Sequence, residues 1–314
     1  MKVALDRINS ERFSNFNNYN TSLSKDDVLK LSYFVLSRFN INYLSMSSIN
    51  AFENRFYEWV IKYIVGKKLP FSIKMLRGSI LEKYLLNKIV EYNDVEKMKE
   101  DAVIDFMDEV KKNNEDDNLL PYEESDLESV KDFIVNTIHL NFDFFKQKDF
   151  FEQGLNVKYS LNGSINVYGV VDSLIKIKDT IGCVELKSTE RIPKEPNENH
   201  IKQLAFYLLT TDLPVGYIYY IGSSKYMRKG STYLRIFAFK RENLENYIKE
   251  YLEKIIYKMT KFLMKFNSPD EIIDITIPQY TSFFLDEHLR DVYGNTFDFK
   301  FDKIEPDSSY ELSV

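Results

Sequence analysis

Apolar positions recur at helical intervals through the first half of the chain, alternate in its middle and return to helical spacing beyond it. From Lys25 to Arg38, Leu29, Leu31, Phe34, Val35 and Leu36 follow a Ser-Lys-Asp-Asp start, which predicts a capped helix. A second helix is predicted from Ser47 or Ser48 towards Val65, with Ile49, Phe52, Phe56, Trp59, Val60 and Tyr63 at helical spacing. Others are predicted over Arg77–Val90, Val95–Val110 and Ser125–Phe145. Between the last two, Asn113-Asn-Glu-Asp-Asp-Asn118 and Pro121 break the pattern and predict a mobile loop.

From Leu155 the period changes to two. Asn156–Leu161, Ser164–Lys178 and Ile181–Lys187 read as three strands joined by turns at Asn162-Gly163 and Asp179–Gly182, an antiparallel meander. A helix over Asn199–Thr210, strands at Gly216–Gly222 and Tyr233–Lys240, and a long helix over Glu242–Phe266 follow. This order predicts an α/β (α+β) fold with a central mixed sheet flanked by helices. The expected organisation is a helical region over 1–150 with a lid, a core over 151–268 and a C-terminal extension over 269–314 whose role is not read.

Composition narrows the chemistry. With 314 residues and 44% hydrophobic content, the chain is long enough to bury a full core. No run of about 18 apolar residues occurs and the amino terminus is polar and Asn-rich, so a soluble, intracellular, cytoplasmic protein is expected. With a lone cysteine, Cys183, no intrachain disulfide, four-cysteine zinc site or iron–sulfur cluster can be built from this chain alone. His139, His200 and His288 are too scattered for a histidine metal centre, so any metal is expected on oxygen ligands. A net charge of −6 argues against a generally basic nucleic-acid-coating protein but leaves room for a local basic groove.

Candidate chemistry concentrates between Gly169 and Tyr207. Side chains two apart on a strand share a face, so Glu185 and Lys187 project together while Val184 and Leu186 enter the opposite layer. Asp172 ends the apolar run Gly169-Val-Val, on the strand expected to pair with this one. A Glu-x-Lys alone is ordinarily a solvated edge pair; here apolar flanks put it in a central strand, where idle carboxylates are costly. Asp172, Glu185 and the carbonyl of Leu186 make a hard-oxygen pocket suited to Mg²⁺ or Mn²⁺. Lys187 beside it is placed to orient water and stabilise a developing anion. On the following helix His200, Gln203 and Tyr207 lie on one face, where an amide and a phenol can hold a phosphate or the lysine.

These segments resemble the PD-(D/E)xK nucleases, specifically the RecB-like branch that includes CRISPR-associated adaptation nucleases, helicase-nuclease subunits and the lambda-exonuclease group. Gly169-Val-Val-Asp172, Glu185-Leu-Lys187 and Gln203-x-x-x-Tyr207 carry the likeness. Upstream, Leu44–Asn54 with its aromatic continuation to Trp59, and Arg77-Gly78-Ser-Ile-Leu-Glu82, extend it. The resemblance implies a restriction-endonuclease-like core and a catalytic set of Asp172, Glu185, Lys187, Gln203 and Tyr207. It also implies a metal held by Glu82, Asp172, Glu185 and Leu186, without the iron–sulfur cluster of some relatives, whose first cysteine is replaced by Asn54. The implied activity is Mg²⁺- or Mn²⁺-dependent DNA hydrolysis, read as an exonuclease in recombination, repair or processing. DNA, and a helicase, recombinase or other DNA-processing protein, are the implied partners.

Backbone contacts to nucleic acid are expected from Arg77, His200, Lys225, Tyr226, Arg228 and Lys229, with Lys67, Lys68, Lys176, Lys178 and Lys194 lining the same groove. The acidic stretch Asn113–Asn118 would repel DNA and is expected to point away. The competing reading is a catalytically silent scaffold that keeps the nuclease fold. A decayed scaffold would be expected to lose the acids or the lysine, and all are present.

Overall fold

The computed structural model describes residues 23–276 apart from 162, 164 and 224–232. Helix α1 (Lys25–Arg38) is capped by Ser24, whose side chain accepts the Asp27 N–H. A short strand β1 (Leu44–Ser45) leads into α2 (Met46–Asn54) through a reciprocal pair, the Ser45 side chain accepting the Ser48 N–H and the Ser48 side chain the Ser45 N–H. The single helix expected to Val65 is broken at Arg55, which leaves helical geometry at φ −144° and ψ 55°. Helix α3 (Phe56–Trp59) then widens into a π-turn over Val60–Ile64. Helix α4 (Ile73–Glu82) also ends in a π-helical stretch, Lys83–Lys88. Two long helices, α5 (Val95–Glu115) and α6 (Glu124–Lys146), pack on it.

The strands are β2 (Asp149–Phe151), β3 (Leu155–Leu161), β4 (Ile165–Val171), β5 (Ser173–Ile177), β6 (Thr180–Ser188), β7 (Val215–Ile221) and β8 (Leu234–Lys240). Helix α7 (Glu198–Thr211) links β6 to its parallel neighbour β7, and α8 (Arg241–Leu263) and α9 (Pro269–Ile275) come after β8. The expected meander is not one sheet. The long strand predicted from Ser164 to Lys178 divides at Asp172: β4 joins a three-stranded sheet ordered β1-β4-β3, and β5 joins a five-stranded sheet ordered β2-β5-β6-β7-β8. Within each sheet the predicted antiparallel hairpins, β3–β4 and β5–β6, do form.

Helices cover both faces of the larger sheet. Cys183, Ile218 and Tyr220 face a core shared with α1, α2, α7 and α8, while Val184, Leu186 and Tyr219 face one shared with α4, α5 and α6. A mixed sheet between helical layers is the α/β architecture expected from the element order. No helix among the described residues is long and apolar enough to cross a membrane.

Candidate active site

Asp172 is the single residue between β4 and β5. Val171 and Leu174 face the same core, so the strand alternation is interrupted between them and the chain kinks there. Ser173 pairs with Val184 as the last rung of that ladder, so Asp172 and Glu185 stand just beyond it, and Glu185 shares the face of Cys183 on the α7 side. The turn in the strand therefore brings the two acids together. Asp172 Oδ2 accepts the Leu186 N–H at 2.9 Å, fixing the carboxylate against the neighbouring strand.

Glu185 is 0% exposed. The Lys187 ammonium forms an ion pair with its Oε1, while Oε2 has no hydrogen-bond partner. Lys187 itself keeps 27% of its side chain exposed. It opens onto a cleft of about 600 Å³ between α4, α5 and the end of β6, lined by Met75, Ser79, Glu82, Glu109 and Asn113 among others. Glu82 closes the group from the end of α4. At Gly78 the helix lies against the end of β6, where a Cβ would make an ordinary contact of 3.6 Å with Ser188 Oγ.

Three acids crowded around one ammonium hold their protons tightly. Burial and then the charge of Asp172 push Glu82 up to about 7, against Lys187. Burial pushes Glu185 up to about 8, opposed by Lys187 and reinforced by Asp172 and Glu82. Burial also raises Asp172, against Lys187 and the Leu186 N–H. Burial would lower Lys187, but the Glu185 and Asp172 carboxylates outweigh it and hold the ammonium above its ordinary value. An orphaned carboxylate oxygen and mutually repelling acids are what a divalent cation would relieve, so the donor set fits a hard, oxygen-seeking ion. Among the described residues no three acidic, imidazole or thiol groups already converge to hold one.

The helix motif meets this group from the side. Gln203 Nε2 donates to Tyr207 Oη at 2.6 Å, and burial, then Glu185 and Asp172, raise the pKa of that phenol. Gly169 makes room for it, because a Cβ there would lie 2.8 Å from Phe206 Cε1 and 3.1 Å from Tyr207 Cε1. His200 Nδ1 lies 2.7 Å from Tyr220 Oη, and Tyr220 Oη also accepts the Asn197 N–H at 2.9 Å. Burial, then the charge of Lys187, push the imidazole down to about 4, so it is neutral at pH 7.

Tyr220 was not anticipated from the sequence. It is the parallel-ladder partner of Lys187, and only the register of β6 against β7 reveals it. Arg77, expected on a phosphate groove, is instead buried: its guanidinium lies 4.0 Å from the Phe133 ring centroid and 3.6 Å from Glu190. That position ties α4 to α6 and to the segment after β6. Lys225, Tyr226, Arg228 and Lys229 lie outside the described residues. The acidic stretch does not turn wholly away. Helix α5 runs on to Glu115 and puts Asn113 on the cleft, while Phe71 N–H donates to Asn118 O and Leu120 N–H to Phe71 O, clamping the turn beyond α5 to the residues just before α4.

Comparison with known proteins supplies the family. No match is found among curated proteins. One solved structure to which the chain is similar is the crystal structure of SSO0001, at 16% identity over 57% of this chain and 84% of that one, with a TM-score of 0.30. The family model of the PD-(D/E)XK nuclease superfamily matches residues 43–265, which take in every residue of the site just described. The chain belongs to the PD-(D/E)XK nuclease superfamily.

Proposed function

We propose that this protein is a divalent-metal-dependent deoxyribonuclease of the RecB-like branch, using Mg²⁺ or Mn²⁺ and acting as an exonuclease. The observation that carries the reading is the convergence of Asp172 and Glu82 on Glu185, close enough for their charges to raise its pKa, with Lys187 ion-paired to Glu185 on the same face of β6. Asp172, Glu185, Glu82 and the carbonyl of Leu186 would hold the ion. When bound, such an ion polarises the phosphate, lowers the pKa of the attacking water and neutralises charge on the pentavalent centre.

The chain's own groups do the rest. Lys187, ion-paired to Glu185 and partly open to the cleft, would orient the attacking water or a non-bridging oxygen with its ammonium. The Gln203–Tyr207 pair backs the carboxylates and keeps their side of the pocket dry. Neutral His200, held by Tyr220, offers a donor or acceptor beside the lysine without adding a second positive charge.

The test is incubation of the purified protein with end-labelled linear and circular, single- and double-stranded DNA in Mg²⁺, Mn²⁺ or EDTA, with Lys187→Ala alongside. Metal-dependent loss of linear but not circular substrate is expected. Cleavage that persists undiminished in the lysine variant, or in EDTA, overturns the proposal.

A further inference from the structure

The cleft onto which Lys187 opens runs well beyond the charged group. Along α4, Met75, Ser79 and Glu82 are spaced four and three apart on one face, so this wall extends about 10 Å from Met75 to the carboxylate. Phe71, just before the helix, continues it outward. The surface is apolar and open, with Met75 56% exposed. Opposite it, α5 presents Glu109 and Asn113, one turn apart. Asn113 Nδ2 donates to Glu109 O at 2.8 Å and to Glu109 Oε2 at 3.4 Å, so the amide hydrogens turn back on α5 and the wall offers acceptor oxygens. The two walls are tied to each other, since Phe71 N–H donates to Asn118 O at 2.7 Å and Leu120 N–H to Phe71 O at 2.8 Å.

A phosphate backbone does not suit these walls. Among the described residues that line the cleft, the cations are Lys83 and Lys187, and Lys83 is paired with Asp105 at 2.7 Å. Cations stand at the two ends instead: Lys187 beside the carboxylates, and exposed Lys68, whose Nζ lies 5.8 Å from the Phe71 ring centroid. Between them, a thioether and a ring face a carboxylate, which matches the apolar face and the amino edge of a nucleobase. Resting on the nuclease reading for the kind of substrate, we propose that the cleft between α4 and α5 receives an unpaired base next to the scissile phosphate. Met75 and Phe71 lie against its ring, and Glu109 accepts from its exocyclic amino group. Neighbours cover both faces of a base inside a duplex, so the cleft selects single strands. Its acceptor wall favours cytosine N4 or adenine N6 over the carbonyl edge of uracil or thymine.

Fluorescence anisotropy at low salt, in EDTA and again in Ca²⁺, tests this without requiring cleavage. The full-length protein is titrated against labelled oligo(dC) and oligo(dU) of about 15 nucleotides, which share a backbone and differ at that edge, and against a duplex of equal length. Oligo(dC) should bind about 5- to 150-fold more tightly than oligo(dU), the discrimination one base contact supplies. The duplex should bind about 10-fold or more below oligo(dC), because a base must first be unpaired. Met75→Ala should weaken both single strands about 4-fold or more, the loss of at least one covered methylene. Glu109→Gln should bring the dC-to-dU ratio to about 1, since an amide serves either edge, and a general change of charge does not move that ratio. Equal affinity of the wild-type protein for the two oligonucleotides overturns the proposal and depends on no variant's folding. So does a preference that survives Glu109→Gln, or a duplex bound as tightly as oligo(dC). A protein that prefers oligo(dC) through Glu109 but never cleaves in Mg²⁺ or Mn²⁺ defeats the nuclease reading alone. One that cleaves DNA with affinity indifferent to Met75 and Glu109 defeats this one alone.

Discussion

Single residues at the site carry charges that the fold strains to keep. Lys187 is the ammonium set against Glu185, so Lys187→Ala leaves three acids without it and removes the donor aimed at the cleft. Nuclease activity should fall at least about 100-fold, the usual cost of one such donor, with the circular dichroism spectrum retained. His200 makes a second, independent prediction through pH. Its folded pKa of about 4 lies below the unfolded 6.5, so between those values the unfolded chain takes a proton the folded chain refuses. Stability from this group is complete above pH 6.5 and is lost as pH falls towards 4, by at most about 3 kcal/mol. His200→Gln should therefore flatten the fall in melting temperature over that window, and an identical acid profile in both proteins would show that the imidazole is not buried as described. The identity of these groups was legible in the sequence because strand alternation alone puts Glu185 and Lys187 on one face. Tyr220 was not, because a parallel register is a tertiary fact with no local signal, and Arg77 was misread because one residue's burial depends on a helix, α6, more than 40 positions away.

At the level of elements, the site depends on how closely α7 lies on β4. Gly169 is the contact point, and its backbone is ordinary; the constraint is space alone. Gly169→Ala would force the Phe206 and Tyr207 rings back and carry Gln203 and Tyr207 away from the carboxylates. A loss of about 1–3 kcal/mol in denaturant unfolding is expected, the range for an overpacked interior, with activity reduced by more than the unfolded fraction explains. If stability falls and activity per folded molecule does not, α7 does not position the chemistry. Most elements were legible, because long amphipathic helices and alternating strands state their own period. The break at Arg55 and the division of the long strand at Asp172 were not. Only Asp172-Ser173 separates the apolar run Tyr-Gly-Val-Val from Leu174 and Ile175, with no Gly, Pro or turn signal there, and the change of sheet partner, β3 and β1 on one side and β2 and β6 on the other, is what marks the kink. That kink is the feature that turns an ordinary hairpin acid into a partner for Glu185.

Across the whole molecule, α7 is tied to its neighbours by one ionic knot on the surface away from the cleft. Lys202, buried beside Gln203, meets Glu53 of α2 and Glu198 of its own helix, each at 3.1 Å, and lies 4.3 Å from the Tyr251 ring of α8. Tyr251 in turn donates to Glu53 at 2.9 Å. Burial pushes Glu53 up, yet the hydrogen bonds from Lys202 and Tyr251 outweigh it and hold the carboxyl below its ordinary value. By linkage its contribution is present above an unfolded pKa near 4.5 and is lost as pH falls through the lower folded value, so the knot loosens only in acid. Removing the lysine alone leaves Glu53 half-satisfied between three helices; removing both charges does not. Lys202→Met should therefore cost about 1–3 kcal/mol, and Lys202→Met/Glu53→Gln should recover part of it, a non-additivity that a double-mutant cycle in urea measures directly. Since α7 runs from this knot to the Gln203–Tyr207 pair, the single variant should also lose activity at temperatures well below its melting point while the double variant regains it. Strict additivity of the two substitutions would mean that the three helices are held by their apolar contacts alone, and that the helix backing the carboxylates is set by the core and not by its ionic seam.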